Sequence, residues 1–317
     1  MKLNKKFKLI AVLLIVVIFT AGCTKTLEDK DGKPVKNPVT GQSLTQNILC
    51  KPTDEETIKI YEKYEKKVDI DKLPSCNNYE FNTGKDEGLW TNVFVKPLAW
   101  IILTIGNLVK NYGLSLILTS LAIRLVAIPF TKKTAMQSEL LAKAKPELDK
   151  IEKKYENKQD QESLLKKTQE IGMVYQKYNI SPASGCLYAF LQLPIFIAFL
   201  EAINRVPAIF EDSIFGFQLG TTPWTAFRTG DFKYLILIAI LGLITYFSFK
   251  LNVSSAQNEQ TRMMNKTMVI MIIVMSLFMT TALDIYWLTS NLFTVVQNLL
   301  VKRSKDVNGK AWIYWKE

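Results

Sequence analysis

Histidine is absent from all 317 residues. Its absence removes the most common general base and the usual transition-metal sites. Only four cysteines occur, Cys23, Cys50, Cys76 and Cys186, and none forms a CxxC pair. Neither a zinc nor a thioredoxin-like centre is therefore indicated. There is no GxxxxGK[ST] loop and no GxSxG elbow, so nothing points to an ATPase or a serine hydrolase. No internal repeat relates one half of the chain to the other, which weighs against an inverted-repeat transporter. Glycine and proline are sparse, unlike a loop-rich or low-complexity chain. We expect no catalytic residues, no cofactor, no metal and no small-molecule substrate.

What is present is hydrophobicity, in 48% of the residues, and it is unevenly spread. Long apolar runs alternate with Lys/Glu-rich stretches, as in a polytopic membrane protein. The net charge is +11. No interleaved basic and aromatic motif for RNA is evident, and the cations sit mostly in alternate loops. The charge therefore points to the lipid bilayer and to topology.

The N-terminus reads as an address. Lys2, Lys5, Lys6 and Lys8 precede an apolar stretch from Leu9 to Phe19, followed by Thr20, Ala21, Gly22 and Cys23. A positive n-region, a short h-region and small residues describe a secretory signal over 1–22. Cys23 after small residues resembles a lipobox, with Thr20 where that pattern usually has Leu; the resemblance implies a diacylated Cys23 as the mature N-terminus. The other reading is an uncleaved signal anchor. Residues 23–95 form a polar extracytoplasmic segment. Asp29 to Pro34 reads as linker, and Asp54 to Val68 reads as a short amphipathic helix. Cys50 and Cys76 flank that helix, and in an oxidising exterior they pair or stay as two free thiols.

The remainder is all-α: five transmembrane helices, a cytoplasmic αα-hairpin and an outer interfacial helix, within a core over 96–303. Pro97 to Val109 is too short to cross a core that needs about 20 helical residues, so 97–109 is placed in the outer interface with Trp100 at headgroup level. The spans are 112–130, 182–203, 233–249, 267–281 and 285–301, with Asp284 in a tight turn before the last. Residues 131–178 alternate Lys with acidic residues around Leu140, Leu141, Leu148, Ile151, Leu164, Leu165 and Ile171, with a turn at Asn157 to Asp160; this is the hairpin. An exported N-terminus places the hairpin, the 250–266 connection and the 304–317 tail in the cytoplasm, and loop 206–232 outside. Lys250, Arg262, Lys266, Lys302, Arg303 and Lys305 then lie inside, as the positive-inside rule requires. The protein is expected in the plasma membrane.

Polar residues interrupt the spans where lipid should be. Arg124 lies in the first span, and a central arginine costs about 2.5–3.5 kcal/mol on insertion scales. Ser120 shares its face one turn earlier, with Ser115 and Thr119 above. Snorkelling towards Lys132 is the plain alternative. On the fifth span Trp287, Ser290, Asn291, Thr294, Gln297 and Asn298 form one helical face. Such a face must meet protein or water, either as glue between helices or as a wet wall. On the second span Tyr188 and Gln192 share a face, and Pro194 frees a carbonyl. Three polar faces suggest one shared wet cavity with Arg124 as its charge. Along the fourth span Met264, Met268, Met271, Met275 and Met279 form a stripe. It reads either as core packing or as an adaptable surface for varied apolar partners.

At this point the sequence resembles the YidC/Oxa/Alb membrane protein insertases. The match runs from about Lys96 to Arg303. It includes Lys96-Pro97-Leu98, Ile123-Arg124-Leu125 before Pro129-Phe130-Thr131-Lys132-Lys133, and Ser181-Pro182 with Gly185-Cys186-Leu187. It continues with Gln192-Leu193-Pro194-Ile195-Phe196, Tyr286-Trp287, Asn291 and Gln297. Tyr188 and Phe249 stand where the family often has Pro and Gln. The resemblance implies a five-helix bundle with a groove open to cytoplasm and lipid, and it assigns Arg124, Ser120, Gln192, Tyr286, Trp287, Asn291 and Gln297 to that groove. It also implies a substrate slide along the second and fourth spans, carrying Met268, Met271, Met275 and Met279. A lipidated N-terminus without an extra preceding span resembles the Gram-positive members. The expected partners are nascent membrane proteins and the bilayer, with the Sec translocon and the ribosome as further candidates. A small-anion transporter or channel, and a lipoprotein scaffold whose polar faces are only glue, are the other classes the residues leave open.

Overall fold

The computed structural model describes residues 24–84, 86–158, 160–180, 184–251 and 259–308. The signal segment, Cys23, Ser181-Pro182, residues 252–258 of the 250–266 connection and the end of the tail lie outside the described residues. The chain divides into two compact units, residues 1–119, 194–235 and 276–286 in the first and 120–193, 236–275 and 287–317 in the second.

In the first unit the polar N-terminal segment folds. Leu27, Leu44, Ile48, Tyr61, Val68, Ile70 and Phe210 build a core of their own. Leu27, Val35 and Leu44 are laced by backbone hydrogen bonds. The linker expected at Asp29 to Pro34 is a turn held by Asp29, whose Oδ1 accepts from the amides of Asp31 and Lys33 at 2.8 and 2.9 Å. The carboxylate supplies locally the acceptor that composition alone does not reveal. Helix α1, Glu55–Glu62, is shorter than the amphipathic stretch and starts at Asp54, which accepts from the Thr57 amide. A disulfide joins Cys50 to Cys76.

A five-residue π-helix, Thr91–Val95, runs directly into α2, Lys96–Val109. The continuous Thr91–Val109 helix has 19 residues and is long and apolar enough to cross a membrane, although part of it is buried inside the protein. The short interfacial helix of 97–109 is therefore one part of a longer element. Its end is set by Lys110, which adopts the left-handed conformation (φ 56°) and donates its amide to the Gly106 carbonyl.

Helix α3, Tyr112–Tyr155, is 44 residues long and continuous; the first span and the first hairpin helix are one rod without a break at residue 131. Helix α4 is Gln161–Lys177 and α5 is Ser184–Arg205. The loop after α5 is structured. A single turn, α6 (Pro207–Phe210), leads into strands β1 (Ser213–Ile214) and β2 (Phe217–Gln218), paired through the positive-φ residues Phe215 and Gly216. Helix α7, Pro223–Arg228, is capped by Thr222. Helix α8 is Lys233–Leu251, α9 is Glu259–Phe278 and α10 is Thr281–Asn308. Asp284 thus lies in the first turn of α10 and is fully buried. Of these helices α8 also meets the length and apolarity of a span, and the shorter apolar stretches are Tyr112–Ile128 and Asn265–Phe278.

A buried ion cluster ties the first unit together. Arg205, fully buried, donates Nε to the Asn47 carbonyl at 2.7 Å and Nη2 to Glu87 at 2.6 Å. Its Nη1 lies 3.9 Å from Glu201, whose other oxygen accepts from Trp90 Nε1 at 2.9 Å. In the second unit the hairpin packs Leu141, Ala144, Leu148, Val174 and Ile180 against one another, with Leu140, Ile151 and Ile171 around them. Leu164 and Leu165, expected in this seam, are exposed.

Two outcomes are expected. Mass analysis after alkylation under native, non-reducing conditions will find residues 50 and 76 unmodified. Cys50→Ser with Cys76→Ser will lower the stability of the N-terminal segment by about 3 kcal/mol, as loop closure over tens of residues implies. The second concerns pH. Lys177 and then Tyr178 hold the Glu147 carboxyl below its ordinary range, and Lys154 and then Tyr155 do the same for Glu170. A lowered carboxyl contributes stability above its unfolded value, about 4.3, and that contribution is lost as pH falls through the lower folded value. Spin-label distances across the hairpin should therefore stay narrow at pH 7 and broaden once the pH drops below about 4.

Candidate functional site

The second unit carries its polarity on the inside. On α10, Ser290 is buried and Trp287, Asn291, Thr294, Gln297 and Asn298 are half-buried, whereas Leu292, Val296 and Leu299 are 46%, 46% and 48% exposed. The neighbouring span behaves alike: Thr245 and Ser248 of α8 are buried, while Ile240, Leu243, Tyr246 and Phe247 face outward. On α3 Ser120 is buried beside exposed Leu125 and Val126. A water-soluble helix shows the opposite arrangement. Here the apolar faces are outermost, the sorting that a hydrocarbon solvent imposes.

The structure brings some of the sequence-identified residues together. Asn291 Nδ2 donates to Thr245 Oγ1 at 2.8 Å, joining α10 to α8. Thr294 Oγ1 donates to the Ser290 carbonyl at 3.0 Å, so it turns back on its own helix. Ser290 Oγ and Asn298 Nδ2 are buried with no protein hydrogen-bond partner. Ser120 is buried, and Arg124, one turn or about 6 Å further along α3, is half-buried. Gln192 is half-buried on α5 before the helix-internal Pro194. Tyr286 stands apart from this set: it belongs to the first unit and stacks on Phe199 with ring centroids 4.1 Å apart. It acts there as an aromatic anchor.

Thr245 and Ser248 were missed by the sequence reading, which saw only Phe249 where a polar wall residue is usual. Their signal was available: two hydroxyls one turn apart in an otherwise apolar 19-residue helix. Gly242, on the same helix, fixes the packing of α8 on α9. A Cβ there would lie 2.9 Å from Ile273 Cδ1, so α8 and α9 approach closely. Along α9 Met268 and Met271 are 36% and 49% exposed and Met275 is half-buried. These methionines therefore line a surface and do not fill a core. Met279 follows the helix in the first unit, and the side chain of Met264 lies outside the described residues. Among the described residues no group of three or more Cys, Asp or Glu could hold a metal ion. The site offers one guanidinium, neutral hydrogen-bonding groups and apolar surface: a means of binding and partition, without a nucleophile or an acid–base pair.

These features define a helical membrane protein with a polar interior and an exposed apolar flank. The family described as "60Kd inner membrane protein" matches residues 104–308. The membrane protein insertase YidC of Oceanobacillus iheyensis is 34% identical over 230 residues, covering 70% of this chain and 86% of that protein. The membrane protein insertase MisCA of Bacillus subtilis is 35% identical over 234 residues, covering 73% and 86%. A crystal structure of an active YidC insertase with its first transmembrane domain resolved superposes with a TM-score of 0.51 at 22% identity, over 67% of this chain and 47% of that one; this likeness concerns the fold. The chain belongs to the YidC/Oxa family of membrane protein insertases, the 60Kd inner membrane proteins.

If the Asn291–Thr245 bond is only glue, it carries the modest worth of such bonds in membranes. In a double-mutant cycle with Asn291→Ala and Thr245→Val, followed by unfolding in detergent, the coupling should be about 0.6 kcal/mol. A value several-fold higher would mark the pair as a structural keystone.

Proposed function

We propose that this chain is a membrane protein insertase that moves short polar segments of newly made membrane proteins across the cell membrane. The observation that carries this reading is the inverted polarity of the second unit, together with family membership. The family is non-enzymatic, and no nucleotide is required. The same membership sets aside the small-anion transporter and the scaffold as primary roles.

In this reading five spans are drawn from α3, α5, α8, α9 and α10, and the hairpin of α3 and α4 projects into the cytoplasm. The N-terminus, lipidated at Cys23 after removal of 1–22, lies outside. Ser120, Arg124, Gln192, Thr245, Trp287, Asn291 and Gln297 line a hydrophilic groove. The buried, unpartnered Ser290 Oγ and Asn298 Nδ2 support hydration there, because such groups are costly in hydrocarbon unless water or a guest satisfies them. Wetting the groove shortens the hydrophobic path. Arg124 attracts an acidic extracytoplasmic segment of the substrate. The apolar part of the substrate then partitions into lipid along α5 and α9, where exposed methionines repack against varied side chains. A potential positive outside adds about 2.3 kcal/mol per 100 mV for each negative charge moved out. The hairpin and its Lys-rich surface are the candidate contact for a ribosome, and cooperation with the Sec translocon is compatible with this layout.

In cells depleted of their own insertase, the wild-type chain should restore insertion of substrates with acidic translocated tails, and Arg124→Ala should not. Arg124→Lys should retain substantial function if charge alone matters, since only a bidentate contact demands the guanidinium fork. A lysine variant as inactive as the alanine variant rules out the simple charge mechanism.

A further inference from the structure

Four aromatic rings meet on the surface of the first unit. Trp224 lies 6.0 Å from Phe227 and 5.8 Å from Phe278 between ring centroids, and Phe227 meets Phe232 edge to face at 5.7 Å. The series Phe278, Trp224, Phe227, Phe232 thereby joins the last residue of α9, helix α7 and the residue before α8. Their exposures are 60%, 42%, 39% and 61%. Rings that touch normally bury the contact, yet all four of these stay open. A soluble monomer rarely leaves so continuous an apolar patch uncovered. The groove function uses none of these residues.

Local structure holds the patch facing outward. Helix α7 starts at Pro223, and the Thr222 side chain accepts from the Thr225 amide to cap it. Pro223 and Ala226 form its buried side. That side is occupied by the folded N-terminal segment: a Cβ on Gly41 would lie 2.7 Å from Thr225 Oγ1, and Thr221 Oγ1 donates to the Thr40 carbonyl at 2.8 Å. Trp224 and Phe227 therefore have no interior into which they could turn. Helix α7 carries the N-terminal segment on one side and the exposed rings on the other.

What covers the rings follows from the helices they join. Phe232 heads α8, and Ile236, Ile240, Leu243 and Phe247 follow it at helical spacing, all exposed. Phe278 ends a like series on α9, after Ile270 and Val274. In the proposed reading both helices are spans, so these exposed faces meet hydrocarbon, and the rings lie where the two faces end. That is the level of the headgroups, where an indole keeps its ring in the acyl region and its N–H in the polar one. Exposed Arg228 beside Phe227, and Lys233 after Phe232, are cations that at this level reach lipid phosphates. The nearby carboxylate, Asp231, is already paired with Lys233 at 2.8 Å. We infer that α7 and its aromatic patch dock into the outer leaflet, at the boundary of headgroups and acyl chains. The 206–232 loop is then an anchor within the membrane surface, and it holds the N-terminal segment against the bilayer. The inference rests on the assignment of α8 and α9 as spans and is independent of the Arg124 groove.

The test places photo-crosslinking benzoylphenylalanine, one position at a time, at Phe227, Phe232, Val274 and Lys30 of the full chain. The protein is reconstituted into vesicles of phosphatidylcholine and phosphatidylglycerol, illuminated, and its adducts are identified by mass. Position 274 reports on the span, and position 30, exposed in the turn after Asp29, reports on water. Phospholipid adducts are expected at 227, 232 and 274, in about tenfold excess over position 30, a ratio that one buried phenylalanine supports. Lipid adducts at 274 with none at 227 and 232 overturn the anchor and leave the span assignment intact. Crosslinked dimers at 227 and 232 in place of lipid adducts assign the patch to a second copy and also overturn it. Equal lipid adducts at 30 and 227 overturn it as well, because the patch then has no preference for the bilayer. Lipid adducts at none of the four positions overturn both the anchor and the spans.

Discussion

Hydrocarbon offers no hydrogen bonds, and this constraint sorts the long helices of the chain. Their polar side chains turn inward and their large apolar side chains turn outward, so α10 hides Ser290 and Asn291 while it presents Leu292, Val296 and Leu299. A soluble bundle would collapse onto those leucines and valines. In the proposed reading they face lipid, and the buried side is left to hydroxyls and amides. A polar interior of this kind lowers the cost of taking a polar segment out of water.

The first unit meets a different demand, that of fixing a folded N-terminal segment to helix ends. Its means is the buried guanidinium of Arg205, shared among Asn47, Glu87 and Glu201. Removing one member of such a cluster leaves an uncompensated charge, a penalty of about 3–5 kcal/mol. The cluster also explains a cation at the outer end of the proposed second span. Arg205 is balanced by two carboxylates and so does not compete with the positive-inside bias set by the loops. Specificity in this unit thus rests on ionic contacts, whereas in the second unit it rests on the exclusion of polar groups from lipid.

The organisation of the helices was legible because it is local. A stripe such as Trp287, Asn291, Thr294 and Asn298 needs only the 3.6-residue repeat to be seen, and a lysine-rich hairpin needs only charge and period. Boundaries were less legible. The rod of α3 runs through residue 131 because a change from apolar to charged side chains alters the solvent and leaves helix propensity intact. Asp29 to Pro34 was read as linker because the core beside it is assembled from widely separated residues: Leu27, Tyr61 and Phe210 meet only once the chain has folded. Thr245 was overlooked because its bond to Asn291 is a contact between helices that residue order does not show.

By itself the sequence determined which faces are polar, where charge accumulates, and the family to which the chain belongs, since each depends on residue order alone. The tertiary structure decided the long-range pairings: Cys50 with Cys76, Arg205 with Glu87, Asn291 with Thr245, and Trp224 with Phe278. The physical reason is that such a contact must offset the entropy of closing the loop between its partners. Several partners of the same chemistry compete for each group, and only the packing of the whole unit selects among them.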